Sequence, residues 1–255
     1  MQRVPRDGSA AQDRFGSTFG HASILPCMGA PLLAGCRGAQ SMLDPAGPSA
    51  SAIAVVWWWM LGVALVVLVG VVTAWFLSMR PRAAMDPARA RRVERRFLIG
   101  GGLLLPTVSV TALLIFGSPA GFHQLPLPGG QAAALRVEAI GHQWWWEIRY
   151  SNGRSVRNEL RLPAGRPVDV HTKSGDVIHS FWVPALGGKL DAVPGRTLVV
   201  RLQGDRLGTY RGQCAEFCGV GHAHMTMTAT VMEPAAFDAW LQDGINENIN
   251  ATGTQ

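Results

Sequence analysis

Residues 214–225 read Cys214-Ala215-Glu216-Phe217-Cys218-Gly219-Val220-Gly221-His222-Ala223-His224-Met225, and the rest of the chain is organised around them. The two cysteines are four apart, His222 follows four later, and Met225 three after that. Two thiols, an imidazole and a thioether in one short loop are soft donors that select copper or zinc over magnesium or calcium. Zinc rarely takes a thioether, so a loop ending on methionine argues for copper. A mononuclear blue site uses one cysteine. The second has a reason if two thiolates bridge two coppers that share one unpaired electron. The competing reading is a pair of buried cysteines beside a core histidine and methionine.

Working outward, composition sets the setting of this loop. A chain of 255 residues has room for one or two domains. Its apolar fraction of 48% points to membrane spans plus a modest globular part. The net charge of +6 is unevenly placed. Residues 80–96 hold seven arginines against Asp86 and Glu94, whereas basic and acidic residues balance from Ser118 onward. The excess therefore belongs to a membrane-flanking loop, which excludes a nucleic-acid surface as its explanation. Cys27, Cys36, Cys214 and Cys218 do not read as a disulfide framework.

Ile53 to Met79 is free of charge, with Trp57, Trp58 and Trp59 near one end and Trp75 near the other. That is the pattern of a membrane-crossing helix with aromatics at both interfaces. Phe97 to Gly117 is a second apolar run of spanning length, in which Gly100–Gly102 and Pro106 are tolerable. Residues 53–117 thus predict a two-helix transmembrane hairpin. The positive-inside rule puts the basic loop 80–96 in the cytoplasm and both termini outside. Upstream, residues 1–35 read as a leader ending in Leu33-Ala34-Gly35-Cys36, which resembles a bacterial lipobox with Cys36 lipidated. Residues 36–52, rich in Ser, Pro, Gly and Ala, read as a periplasmic linker.

Residues 118–243 predict an all-β domain. Trp144, Trp146, Ile148 and Tyr150 fall on one face of an alternating run, with Trp145, Glu147 and Arg149 on the other. Met225, Met227, Ala229 and Val231 alternate with Thr226, Thr228 and Thr230. Pro234 to Leu241 predicts a short closing helix, and residues 244–255 a flexible tail.

The 214–225 loop resembles the dinuclear copper (CuA) loop of cytochrome c oxidase subunit II, C-x-E-x-C-x3-H-x2-M, with every defined position present. That family draws a further histidine from a D-V-x-H-S-F/W stretch. Here Asp176-Val177-Ile178-His179-Ser180-Phe181-Trp182 supplies His179. Gly141-His142-Gln143-Trp144-Trp145-Trp146 and Leu190-Asp191-Ala192-Val193-Pro194-Gly195-Arg196 match as well, and the resemblance runs from about Asp44 to Leu241. It implies a cupredoxin-like Greek-key sandwich on the hairpin, in a bacterial protein of lipoprotein type.

By that resemblance, Cys214 and Cys218 bridge both coppers. His179 and Met225 complete one; His222 and the Glu216 carbonyl complete the other. The Glu216 side chain, with Asp191 nearby, reaches a magnesium shared with subunit I, where carboxylate oxygen suits the ion. Trp144 is where electrons enter, and Asp176 helps dock a cationic cytochrome c. Glu94 sits where the family can place a proton-uptake carboxylate, although a carboxylate among arginines is usually a solvated charge. His224 lies in the loop but the family pattern skips it; His142 and His171 read as structural.

The implied function is the electron-accepting subunit of an aa3-like cytochrome c oxidase. Its partners are subunit I, subunit III, cytochrome c and the bilayer of the bacterial inner membrane. It passes electrons to haem in subunit I, where O2 is reduced to water with proton translocation. No C-x-x-C-H occurs, so no c-type haem is fused to it. A quinol oxidase subunit II shares the hairpin but lacks the copper ligands. A membrane-tethered copper carrier needs exposed, exchangeable ligands.

Overall fold

A computed structural model describes residues 37–81, 85–127 and 134–252, with side chains as far as Asp243. Cys27, Cys36 and the expected leader and lipobox lie outside the described residues.

Helix α1 (Pro48–Ser78) begins with proline in its first turn, where the missing N–H costs nothing. Its 31 residues span about 46 Å at a rise of ~1.5 Å each, more than a bilayer core. Asp86 caps α2 (Pro87–Arg96) through the Arg89 N–H at 3.2 Å. The backbone then continues as a π-helical stretch over Phe97–Leu104, the glycine-rich part, into α3 (Leu105–Phe122). The Arg-rich residues expected as a loop are thus largely the first turns of the second long helix. Both helices are long and apolar enough to cross a membrane. They meet where Gly117 lacks a side chain: a Cβ there would lie 3.8 Å from Val56.

The remainder folds as two five-stranded sheets packed face to face. The first, in the order β3-β2-β1-β5-β8, comprises β1 (Leu135–His142), β2 (Trp145–Tyr150), β3 (Ser155–Arg157), β5 (Val168–Ser174) and β8 (Leu198–Leu202). The second, β4-β10-β9-β6-β7, comprises β4 (Glu159–Pro163), β6 (His179–Trp182), β7 (Leu190–Ala192), β9 (Gly208–Cys214) and β10 (Thr226–Met232). The β1–β5 and β4–β10 pairs are parallel; the others are antiparallel. This is the expected cupredoxin-like sandwich. The inward residues of both sheets make one core, with Val137, Trp146, Ile148, Leu160, Leu162, Phe181, Met227 and Val231 all buried.

Three differences from the sequence reading matter. First, β2 starts at Trp145, so Trp144 lies in the β1–β2 turn and escapes the alternation assigned to it. Trp146 is fully buried and Trp144 is 37% exposed. Second, the expected linker is partly a docked strap. The Arg211 N–H donates to the Ala39 carbonyl (2.9 Å), Ala46 N–H to Ala185 (2.7 Å), and Asp205 N–H back to Ala46 (2.8 Å). Arg206 pairs with Asp44 at 2.9 Å. A side chain on Gly47 would strike the Gln203 carbonyl at 1.9 Å, so only glycine fits where the strap enters α1. The other helix leaves through Gln124, whose carbonyl accepts from the Arg201 N–H at 2.9 Å. Third, the closing helix α4 (Pro234–Thr252) continues past Leu241 into the segment expected as a flexible tail. Phe237 is buried, and Trp240 stacks edge-on to Tyr150 under the Arg154 and Arg161 guanidiniums. With its first turns so anchored, the helix propagates through a segment that contains no proline.

Candidate metal centre

β9 ends on Cys214 and β10 begins at Thr226, so the whole loop hangs between two paired strands of one sheet. The Cys214 N–H donates to the Met225 carbonyl at 2.9 Å and closes the loop at its base. A 3-10 turn, His222–His224, reverses the chain, with the Met225 N–H returning to the His222 carbonyl at 3.1 Å. β6 lies beside β9 in the register Phe181↔Cys214, which carries His179 to the same end of the sandwich.

There the expected donors converge. Cys214 Sγ and Cys218 Sγ are 3.9 Å apart. His179 Nδ1 lies 3.8 Å from Cys214 Sγ, and the Glu216 carbonyl 3.2 Å from it. His222 Nδ1 lies 3.5 Å and Met225 Sδ 3.8 Å from Cys218 Sγ. Two donors bound tetrahedrally at ~2.3 Å (sulfur) and ~2.0 Å (nitrogen) stand about 3.5 Å apart, so these separations suit shared metal ions. His179, Cys214, Cys218 and Met225 are all buried, which keeps water off the donors. The residues fit a soft-metal group, but the short contacts pair them differently from the resemblance: His179 and the Glu216 carbonyl lie against Cys214, His222 and Met225 against Cys218.

Asp176 sets the direction of His179. The His179 Nε2–H donates to Asp176 Oδ1 at 2.7 Å, which turns Nδ1 toward Cys214. The same carboxylate accepts from the Val177 N–H (2.6 Å) and the Gln143 N–H (2.7 Å). Burial alone would raise the Asp176 pKa, but these bonds hold it below the usual carboxylate value. Burial would lower His179, and its bonds to Cys214 and Asp176 raise it instead. For the thiols, burial opposes ionisation of both. Hydrogen bonds from His179 and the adjoining backbone outweigh it at Cys214, bringing that thiol down to about 6. Burial and the neighbouring Cys214 thiolate push Cys218 up.

The other expected residues fall in different places. The Glu216 side chain points away from the thiols. Lys189 Nζ lies 3.7 Å from its Oε2 and 3.2 Å from Asp191 Oδ1, so one lysine draws the two expected carboxylates together on the surface. His224 is exposed and outside the donor cluster. His142 stacks on Trp145 at 4.6 Å on the outer face of the first sheet. His171 lies on that face too, its pKa lowered by burial and by Arg136. Glu94 is exposed on α2 and makes no ion pair among the described residues. Sequence reasoning passed over Lys189 and Gln143. Both lay inside or beside quoted motifs, but only their distances single them out.

The Cytochrome C oxidase subunit II, periplasmic domain family matches residues 153–232, which contain His179 and the whole 214–225 loop. Over that segment the chain is similar to cytochrome c oxidase subunit II proteins. Cytochrome c oxidase subunit 2 of Alkalihalophilus pseudofirmus is 38% identical over 141 residues, 55% of this chain and 39% of the relative. The Cereibacter sphaeroides protein of that name is 29% identical over 239 residues, 76% of this chain and 78% of the relative. A crystal structure of the periplasmic domain of subunit II of cytochrome oxidase from Bradyrhizobium japonicum is 31% identical, with a TM-score of 0.44. It covers 46% of this chain and 96% of that one. The chain thus spans less than two thirds of the first of these relatives and more than two thirds of the second. Relatives of this name are subunits of an oxidoreductase, and the two apolar helices with an outer domain fit a membrane protein.

Proposed function

We propose that this chain is the subunit through which electrons enter a haem-copper cytochrome c oxidase of aa3-like type. The observation that carries the reading is the paired thiols, 3.9 Å apart and flanked by two imidazoles, a thioether and a backbone carbonyl. Cys214, Cys218, His179, Met225, His222 and the Glu216 carbonyl would hold a dinuclear copper centre. Such a centre would supply one-electron storage with little rearrangement. The chain's own residues do the rest. Asp176 holds His179 in the tautomer that presents Nδ1. Burial of the donors excludes water, so a delivered electron meets a preorganised environment. Trp144, partly exposed over the loop, presents an indole to a reduced cytochrome c.

Glu216 and Asp191, with Lys189 between them, form this chain's half of a magnesium site that subunit I completes. The hairpin crosses the bacterial inner membrane with the Arg-rich segment in the cytoplasm and the sandwich outside, beside subunits I and III. Burial of the donors favours retention of copper over its transfer, which separates this reading from a copper carrier.

The test uses the full-length chain in detergent, loaded with copper. Metal content and the electron paramagnetic resonance spectrum are measured. Two coppers per chain sharing one unpaired electron are expected; one copper, or zinc held in preference, would overturn the assignment.

A further inference from the structure

We infer that Gln143 is a positioning residue for electron delivery: its side-chain amide clamps the Cys218 carbonyl in place under the Trp144 indole. This rests on the proposed role of Trp144. Gln143 sits in the β1–β2 turn, between the last residue of β1 and Trp144. Its two donors point to the two halves of the metal centre. The backbone N–H reaches Asp176 Oδ2 at 2.7 Å, on the carboxylate that orients His179. The amide Nε2 reaches the Cys218 carbonyl at 2.8 Å. Trp144 Nε1 donates to that same carbonyl at 3.2 Å. A carbonyl oxygen has two lone pairs, and here both are used, by neighbouring residues of one turn.

The clamp matters because the indole is 37% exposed and rests on the loop. It lies on bare backbone: a Cβ on Gly221 would fall 2.4 Å from its Cδ2, and one on Gly219 3.2 Å from its Cζ2. Gly219 also adopts φ +119°, which L side chains rarely accept. The two glycines let the ring come down onto the loop, and one hydrogen bond sets how it sits there. The bonded route from ring to centre runs across Nε1–H···O=C and through Cys218 Cα and Cβ to Sγ. The amide fixes the acceptor end of that hydrogen bond. One electron leaves a reduced haem donor and one arrives at the centre. No bond is made or broken at Gln143, and no proton moves.

The test compares wild type, Gln143→Leu and Trp144→Phe in the full-length chain in lipid nanodiscs. Leucine removes the amide at similar size and keeps the backbone bond to Asp176. Loss of one well-placed hydrogen bond predicts that Gln143→Leu slows electron transfer within the bound cytochrome c complex by about tenfold, with donor affinity changed by less than about twofold. Independently of copper, the Trp144 indole N–H, identified in 15N-tryptophan spectra by its loss in Trp144→Phe, exchanges about tenfold faster in the variant. Unchanged exchange and an unchanged rate overturn the clamp. So does a loss of donor affinity at constant rate, which would make Gln143 a docking residue. If Gln143→Leu does not load copper, the exchange measurement decides alone. If Trp144→Phe transfers electrons at the wild-type rate, the role of Trp144 falls and the clamp with it. If only Trp144→Phe is slow, the clamp alone falls.

Discussion

Glu216 belongs to two polar clusters built on opposite principles. Its carbonyl faces Cys214 in a cluster whose two thiols, thioether and His179 imidazole are buried. Its carboxylate faces Lys189 in a cluster whose three side chains are all close to half exposed. The residues of the buried cluster all come from β6 or the 214–225 loop. The surface cluster has two carboxylates and a lysine in the space between them, too few oxygens to enclose a magnesium ion without further ligands. Burial demands that polar groups be satisfied internally, whereas water can satisfy the spare lone pairs of a surface cluster.

The contrast predicts a graded series of effects. Cys218→Ser should abolish the dinuclear spectrum outright, since the second bridge is gone and the thioether and His222 lose their shared neighbour; a retained two-copper spectrum would break the comparison. Asp176→Asn should leave the fold intact and lower copper affinity by about 10–100-fold, the usual cost of losing a ligand's orienting partner; equilibrium competition with a copper chelator reads this. Lys189→Gln should change stability by less than about 1 kcal/mol, as exposed pairs do, in thermal or chemical unfolding of the full chain. A larger loss would mean that the surface cluster is structural in its own right.

The smallest effect concerns pH. The bonds from Lys173 and Arg136 hold Glu138 below its ordinary value of 4.5. A carboxylate depressed on folding contributes stability above its unfolded pKa and loses it as pH falls through the lower folded value. Stability should therefore decline more shallowly on acidification below about pH 4.5 in Glu138→Gln than in wild type, as read by unfolding at a series of pH values.

Much of this was legible in the chain. The spacing of Cys214, Cys218, His222 and Met225, with His179 in its own motif, foretold which side chains meet, because ligand chemistry constrains residue type and loop length together. The apolar runs foretold both long helices. The alternation from Trp146 to Tyr150 and from Met225 to Val231 foretold the buried faces. The reading went astray where it extended a local rule past its element. Alternation was carried one residue too far, to Trp144, which belongs to a turn. Composition made 36–52 a linker, although its backbone groups find partners on the sandwich. It also made the last residues a tail, although Phe237 and Trp240 anchor the helix they continue.

The sequence by itself thus determined which atoms can bind metal and which segments are apolar enough to cross a membrane. Both follow from residue type and short-range spacing. Only the tertiary structure decided what each polar group faces. Asp176 is turned onto His179, Lys189 lies between Asp191 and Glu216, and Gln143 and Trp144 meet on one carbonyl of Cys218. Those partners are far apart in the chain, and hydrogen bonds of about 3 Å become visible only when strand register has brought the segments together.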